Sequence, residues 1–283
     1  FGMGIFDAIS HAMTTVATGG FSTRDRSIES FQSAAIDYTS IFFMISGAIP
    51  FALYLGALQH GRWKQLFSDS QVRTFFGLIL LVSLVMTLIQ VQINIYHGEE
   101  AFRHALFSVV SVMTGTGYAT IDYGMWGPLA MTIFFVLTFI GGCTGSTSCG
   151  IKIFRFQVLA RDLYQHVRQI LSPSRIYVKR YNGAPLPESV SISIQSFVFL
   201  YILSFFILAV LLAATGMDMV SALSGAATAI SNVGPGLGEI IGPAGSFQPL
   251  ADVSKWLLIA GMLVGRLEIL IIFVLFTPRF WRV

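Results

Sequence analysis

The chain reads as an all-α membrane protein assembled from repeated units, each a span, a short pore helix, a small-residue turn and a second span. Composition and internal repetition carry that reading. Of 283 residues, 54% are apolar, 11% are charged and 25 are Phe, whereas soluble domains average about a quarter charged residues. Uncharged or nearly uncharged runs lie near 38–59, 74–96, 126–151, 190–215 and 253–277, each close to the roughly 20 residues that a crossing requires. Between them, three turns recur in register.

The turns are Thr18-Gly19-Gly20-Phe21, Gly115-Thr116-Gly117-Tyr118 and Asn232-Val233-Gly234-Pro235. Aligning Gly20, Gly117 and Gly234 also aligns Ala8, Ala105 and Ala222 twelve residues upstream. Thr14, Ser111 and Thr228 fall together, and so do the acids Asp25, Asp122 and Glu239 five residues downstream. Glycine at the centre admits φ values closed to other residues, so that successive carbonyls can point one way. A ring of such carbonyls replaces the water shell of an alkali cation. The expected ion-binding filter is therefore Thr18, Gly19 and Gly20, with Gly115, Thr116 and Gly117, and with Asn232, Val233 and Gly234; an alkali cation is held by backbone oxygens and by no cofactor.

The units then follow in order. Residues 1–59 hold a pore helix near 4–17, its turn and the span 38–59, which Pro50 should kink because it removes a backbone donor. A link at 60–73 leads to a full unit over 74–156, with its pore helix near 99–113. A basic linker over 157–189 carries Pro173, Pro185 and Pro187, and is either a solvated loop beside anionic lipid or a docking surface. The last unit spans 190–283, with its pore helix near 217–230. The pore helices are half the crossing length and should enter and return. Irregular backbone at that depth is tolerated only where it lines a wet cavity or is packed in protein. The chain opens at Phe1 inside a pore helix, as a truncated protein would.

Charge sets the orientation. With the turns outside and 60–73, 152–189 and 278–283 inside, twelve of 17 Lys and Arg are cytoplasmic: Arg62, Lys64, Arg73, Lys152, Arg155, Arg161, Arg168, Arg175, Lys179, Arg180, Arg279 and Arg282. This satisfies the positive-inside rule. Ten of 14 acids are outside, and a negative mouth concentrates cations. Asp25, Asp122 and Glu239 are the expected outer-mouth residues, or else simply solvated.

Two further features sit at membrane depth. The stretch Gly141-Gly142-Cys143-Thr144-Gly145-Ser146-Thr147-Ser148-Cys149-Gly150 resists helix formation, each Gly costing up to about 1 kcal/mol against Ala. It is either a close helix–helix contact or a movable gate below the filter whose hydroxyls line a wet path; the second reading is taken. Arg266 lies deep in the last run. It pairs with Glu268, snorkels to the inner interface, or faces a cavity, where it would oppose cations and hydrogen-bond carbonyls of the 141–150 loop. The cavity is preferred, because intramembrane charges face one or meet a partner. Cys143 and Cys149 read as small packing residues. His11, His60, His97, His104 and His166 lack metal-ligand spacing, and Gly234-Pro-Gly-Leu-Gly238 has no βαβ context; no enzyme motif is present. A scaffold without conduction has no use for the loop or for Arg266. An organic-solute carrier should show inverted repeats, whereas these units run in one direction.

The stretches Val16-Ala-Thr-Gly-Gly-Phe-Ser-Thr-Arg-Asp25, Met113-Thr-Gly-Thr-Gly-Tyr118 and Ser231-Asn-Val-Gly-Pro-Gly236 resemble the filter turns of the Trk/Ktr/HKT superfamily of potassium transporters, closest to its bacterial TrkH-type subunits. The 141–150 stretch resembles that family's intramembrane loop, and Arg266 its arginine in the last span. The resemblance covers nearly the whole chain, as the second filter onward. It implies four units in pseudo-fourfold array around a central pathway, potassium uptake across a bacterial inner membrane with the filter outward, homodimers, and a cytoplasmic nucleotide-binding ring that controls opening. The first unit and the first span of the second are absent, so the chain alone would not close the pore. The turns differ from one another, which leaves a Ktr-like sodium-dependent or poorly selective monovalent cation transporter as the alternative.

Overall fold

The computed structural model describes residues 1–172 and 179–266, together with 274, 277, 280 and 281. Among these the chain is helical apart from one two-stranded hairpin, β1 (Arg180–Tyr181) paired antiparallel with β2 (Ala184–Pro185). The three helices expected to be pore helices are α1 (Ile5–Val16), α6 (Gly98–Thr114) and α10 (Met219–Ser231), each within two residues of its expected bounds at either end.

The spans depart from expectation in instructive ways. The run 38–59 is not one kinked helix. It is α2 (Ala34–Gly47) and α3 (Phe51–His60), bent by 88° at a break that Pro50 closes as the N-cap of α3. A short helix α4 (Trp63–Ser68) leads to α5 (Ser70–Gln92), whose first turn is capped by Asp69 accepting from Gln71 N (2.8 Å) and Val72 N (3.3 Å). The run 126–151 is helical only as α7 (Pro128–Thr138), started by Pro128, whose missing N–H costs nothing in a first turn. Residues 139–152 are irregular, and helix resumes as α8 (Ile153–Leu171). The 156/157 boundary of the expected linker therefore falls within a helix, and the linker begins as helix and not as a solvated loop. Then α9 (Glu188–Ala214) crosses in 27 residues and α11 (Asp252–Arg266) follows the third pore helix. Of the five expected crossings, two are single helices long and apolar enough, α5 and α9, with α2–α3 a third if the bent pair counts as one; the last lies partly outside the described residues.

Packing repeats with the units. The second pore helix, α6, lies against α5, α7 and the preceding unit's α2; the third, α10, lies against α9, α11 and the preceding unit's α7. Lipid is as apolar as leucine, so close backbone approach and van der Waals contact hold such helices. Accordingly α10 is built from Ser221, Ala222, Ser224, Gly225, Ala226, Ala227 and Ala229, all buried. Gly261 and Gly265 of α11, four apart, sit against it: a Cβ on Gly261 would be 3.3 Å from Ala229 Cβ, and one on Gly265 would overlap the Ile230 carbonyl. Around α6 the fill is aromatic. Tyr123 stacks on Phe134 at 4.1 Å between ring centroids, and Phe75, Phe107, Tyr118 and Trp126 are wholly buried.

Candidate functional site

Each pore helix runs into its turn by the same hydrogen bonds. The residue two before the central glycine donates three residues back: Thr18 N to Thr15 O (3.1 Å), Gly115 N to Val112 O (3.1 Å), Asn232 N to Ala229 O (3.2 Å). The next donates five back: Gly19 N to Thr14 O (2.7 Å), Thr116 N to Ser111 O (3.0 Å), Val233 N to Thr228 O (3.1 Å). Both the first of these residues and the glycine are left-handed, with φ of 49° and 66° in the first turn, 72° and 83° in the second, and 53° and 120° in the third. Alternate left-handed residues turn the chain out of the helix without ordinary strand geometry, and glycine is the residue that does so freely.

The aligned hydroxyls hold the far side of each turn. Thr14 Oγ1 donates to Phe21 O (2.9 Å) and Ser111 Oγ to Tyr118 O (2.7 Å), both one residue past the glycine. In the third turn Pro235 occupies that place, and Thr228 Oγ1 instead accepts from Gly234 N at 2.9 Å. The sequence repeat is thus one backbone bonding scheme used three times, with the role of the aligned hydroxyl reversed in the third turn.

The turns touch in chain order. A Cβ added to Gly20 would overlap the carbonyl oxygen of Thr116, and one added to Gly117 would overlap that of Val233 and stand 3.0 Å from Pro235 Cδ. All nine expected filter residues are therefore brought into one contiguous group. Tyr118, which sequence reasoning did not single out, ties the second turn to the first pore helix: its buried hydroxyl meets Thr14 Oγ1 (2.5 Å) and donates to His11 O (3.3 Å). The signal for it was only its place next to Gly117.

The irregular stretch 139–152 lies against the first and second turns and is stitched to the α2–α3 break. Cys143 N donates to Ala48 O (3.0 Å), Thr147 N to Gly47 O (3.2 Å) and Phe51 N to Gly145 O (3.0 Å). Backbone groups freed by the two irregular segments thus satisfy each other, as buried amides and carbonyls must. Gly141 and Ile151 close the loop's base through Gly141 N to Ile151 O (3.0 Å), with Gly150 left-handed at φ 72°, and Gly142 N donates to Ser148 Oγ (2.7 Å). Ser146 Oγ donates to Cys143 O (2.6 Å), and Thr144 N to Gln71 Oε1 of α5 (2.8 Å). Thr147 reaches the first turn, accepting from Thr18 Oγ1 at 3.1 Å. A close helix–helix contact alone would not need this network.

Arg266 does meet the loop, but through a thiol: its guanidinium donates to Cys149 Sγ. The expected carbonyl partners are corrected to this side chain, and Cys149 is more than packing. Asn232 fixes the third turn one helical turn above, donating from Nδ2 to Met262 O (3.1 Å). Glu268 lies outside the described residues. The outer acids do not converge in contacts: Asp25 and Glu239 are exposed, while half-buried Asp122 caps its own turn by accepting from Gly124 N (2.8 Å). Asp7 and Asp218, at pore-helix beginnings, are better engaged. Thr23 and Arg24 bond the Asp7 carboxylate (2.6 and 3.1 Å) and hold it below the usual carboxylate range. The Ser221 side chain and its N–H (3.0 Å) do the same for Asp218.

Comparison with known proteins agrees with this architecture. A family model described as cation transport protein, TrkH, matches residues 2–283. The chain is 48% identical over 285 residues to the Trk system potassium uptake protein TrkI of Halomonas elongata, covering 99% of this chain and 57% of that protein. It is 35% identical over 283 residues to TrkH of Escherichia coli K12, covering 99% and 58%. The crystal structure of the potassium transporter TrkH from Vibrio parahaemolyticus superposes with a TM-score of 0.92 at 37% identity, over 99% of this chain and 60% of that one. The chain thus spans somewhat over half the length of these relatives. With a family model matched almost end to end, and with a bonding scheme repeated over three pore helices, the chain belongs to the TrkH family of cation transport proteins.

Proposed function

We propose that this chain supplies three of the turns of a selectivity filter through which potassium enters the cell, as part of a longer subunit. The observation that carries the reading is the contact series Gly20–Thr116 and Gly117–Val233, in which one turn's carbonyl seats against the preceding turn's glycine. Three turns with one bonding scheme, packed side by side, are what a carbonyl ring around a common axis requires. A Cβ added to Gly234 would meet nothing nearer than Gly117 Cα at 3.6 Å among the described residues, and a further unit of the same kind would complete the circle there. A dehydrated potassium ion is held by oxygens of residues 18–20, 115–117 and 232–234. The negative C-terminal ends of α1, α6 and α10 favour the cation below.

In this reading the 141–150 loop and Arg266 are the gate. The loop closes the path under the filter, and Arg266, anchored through Cys149, sets a positive charge against the ion. Three backbone hydrogen bonds join the loop to the α2–α3 break. At a net value near 1 kcal/mol each, releasing them costs about 3 kcal/mol, which the binding of a regulatory partner can offset. Asp25, Asp122 and Glu239 raise the local cation concentration at the mouth, each modestly, since salt screens beyond about 8–10 Å. The units run 1–59, 74–156 and 190–283, joined by 60–73 and 157–189. The subunit sits in the bacterial inner membrane with the filter outward, as a homodimer surrounded by lipid, and is controlled by a cytoplasmic nucleotide-binding ring.

Uptake of rubidium against sodium tests this in cells lacking their own potassium systems and expressing the full-length protein. The expected result is rubidium uptake that saturates and excludes sodium. Equal uptake of the two ions would instead favour the poorly selective alternative.

A further inference from the structure

On the side to which the positive-inside distribution assigns the cytoplasm, α8 and the β1–β2 hairpin form a basic ledge. Gln157 of α8 donates to Ser70 O at the start of α5 (2.9 Å), and Asp162 accepts from Ser191 Oγ at the start of α9 (3.2 Å). These contacts hold the middle of α8 level with the first turns of two apolar crossing helices, at the depth of lipid headgroups. There Arg161, Arg168, Lys179 and Arg180 line a hollow of about 180 Å³ together with Tyr164 and Asp162. The one carboxylate present, Asp162, is taken by Lys179 at 2.9 Å. Among the described residues Arg161, Arg168 and Arg180 have no carboxylate within ion-pair distance; Arg161 lies over the Tyr181 ring (4.8 Å) and Arg168 over Tyr164 (4.6 Å).

The adjoining face of the same helix is apolar and uncovered among the described residues. Leu163, Val167, Ile170 and Leu171, spaced as one helical stripe, are all exposed. A helix with an open apolar stripe bordered by arginines, at headgroup depth, fits a molecule that is both anionic and greasy. A soluble phosphate would use the arginines and leave the stripe in water.

We propose that this ledge binds an anionic phospholipid of the inner leaflet, its phosphate among Arg161, Arg168 and Arg180 and its acyl chains along Leu163, Val167 and Leu171. Basic pockets at the cytoplasmic ends of crossing helices are suited to such headgroups. The proposal goes beyond the ion pathway and does not depend on it.

The test is native mass spectrometry of the purified full-length protein titrated with phosphatidylglycerol, with phosphatidylcholine, or with inorganic phosphate as competitor. Wild type is expected to retain phosphatidylglycerol over phosphatidylcholine by at least about ten-fold, and the variant R161Q/R168Q/R180Q to lose that preference, since the three basic groups attract the net negative charge of the headgroup. The variant L163S/V167S is expected to weaken phosphatidylglycerol while retaining the arginines. An unchanged melting temperature of both detergent-solubilised variants reports that they are folded whether or not the protein carries rubidium, and so separates failure of this proposal from failure of the transport reading. Undiminished phosphatidylglycerol retention in the triple variant overturns the proposal. So does displacement of the lipid by equimolar inorganic phosphate, and so does undiminished phosphatidylglycerol retention in L163S/V167S.

Discussion

Gly20 and the carbonyl oxygen of Thr116 share one space: any side chain at residue 20 would occupy the place of an oxygen 96 positions further along the chain. The same relation holds between Gly117 and Val233. Glycine is required there twice over, by a left-handed φ and by the approach of the neighbouring turn. Replacing Gly117 with Ser is expected to strain the backbone by about 1–3 kcal/mol and to push the third turn outward. With about 1.4 kcal/mol per factor of ten, the preference for rubidium over sodium should fall roughly ten-fold in cell uptake. Gly234→Ala should be milder, because only its φ of 120° objects. Equal effects at both positions would separate the glycines from turn-to-turn packing.

Ser111 and Thr14 each hold the carbonyl that follows the central glycine of a turn. Ser111→Ala leaves Tyr118 O without its donor in a buried setting, a loss of about 1–3 kcal/mol. The expected outcome is a lower melting temperature of the detergent-solubilised protein and a weaker apparent affinity for rubidium. Thr228→Ala should act differently, since there the hydroxyl accepts from Gly234 N. It frees a donor and not an acceptor, and is expected to lower the melting temperature with less effect on the apparent affinity for rubidium.

Arg266 and Cys149 are predicted to act as one element. Arg266→Ala and Cys149→Ala should each raise rubidium leak in proteoliposomes without a regulatory partner. The double variant should leak no more than Arg266→Ala alone, as expected for residues in direct contact. Additive leak would mean that the two act separately.

Asp218 caps α10, and its carboxyl is held below the usual carboxylate range by the Ser221 side chain and its N–H. A lowered folded-state value means that the stabilisation is complete above the unfolded value, near pH 4, and is lost as pH falls through the lower folded value. Asp218→Asn should therefore flatten the loss of stability that wild type shows below about pH 4. Asp218→Ala should cost about 1 kcal/mol at neutral pH, the usual value of a helix cap. Thermal unfolding from pH 3 to 7 checks both.

Much of this architecture was legible in the residues because it is local. Pore helices announce themselves by length and by the glycine that ends them, and α1, α6 and α10 fall close to their expected bounds. What escaped was non-local. The run 38–59 carries Gly47 and Pro50, enough for a kink; the 88° break is possible because Cys143, Gly145 and Thr147 supply hydrogen bonds from nearly a hundred residues away. Neither segment alone shows that the other will satisfy it. Likewise nothing in the spacing of Cys149 and Arg266, 117 apart, marks them as partners. The helix over 153–171 was hidden by its arginines and glutamines, which made a docked amphipathic helix read as linker.

The most direct measurement is a crystallographic map of the full-length protein soaked in rubidium, read by anomalous scattering. A rubidium peak is expected on the axis enclosed by the carbonyls of residues 18–20, 115–117 and 232–234, within coordinating distance of all three turns. A peak outside that enclosure, or turns whose carbonyls face away from a common axis, would contradict the filter.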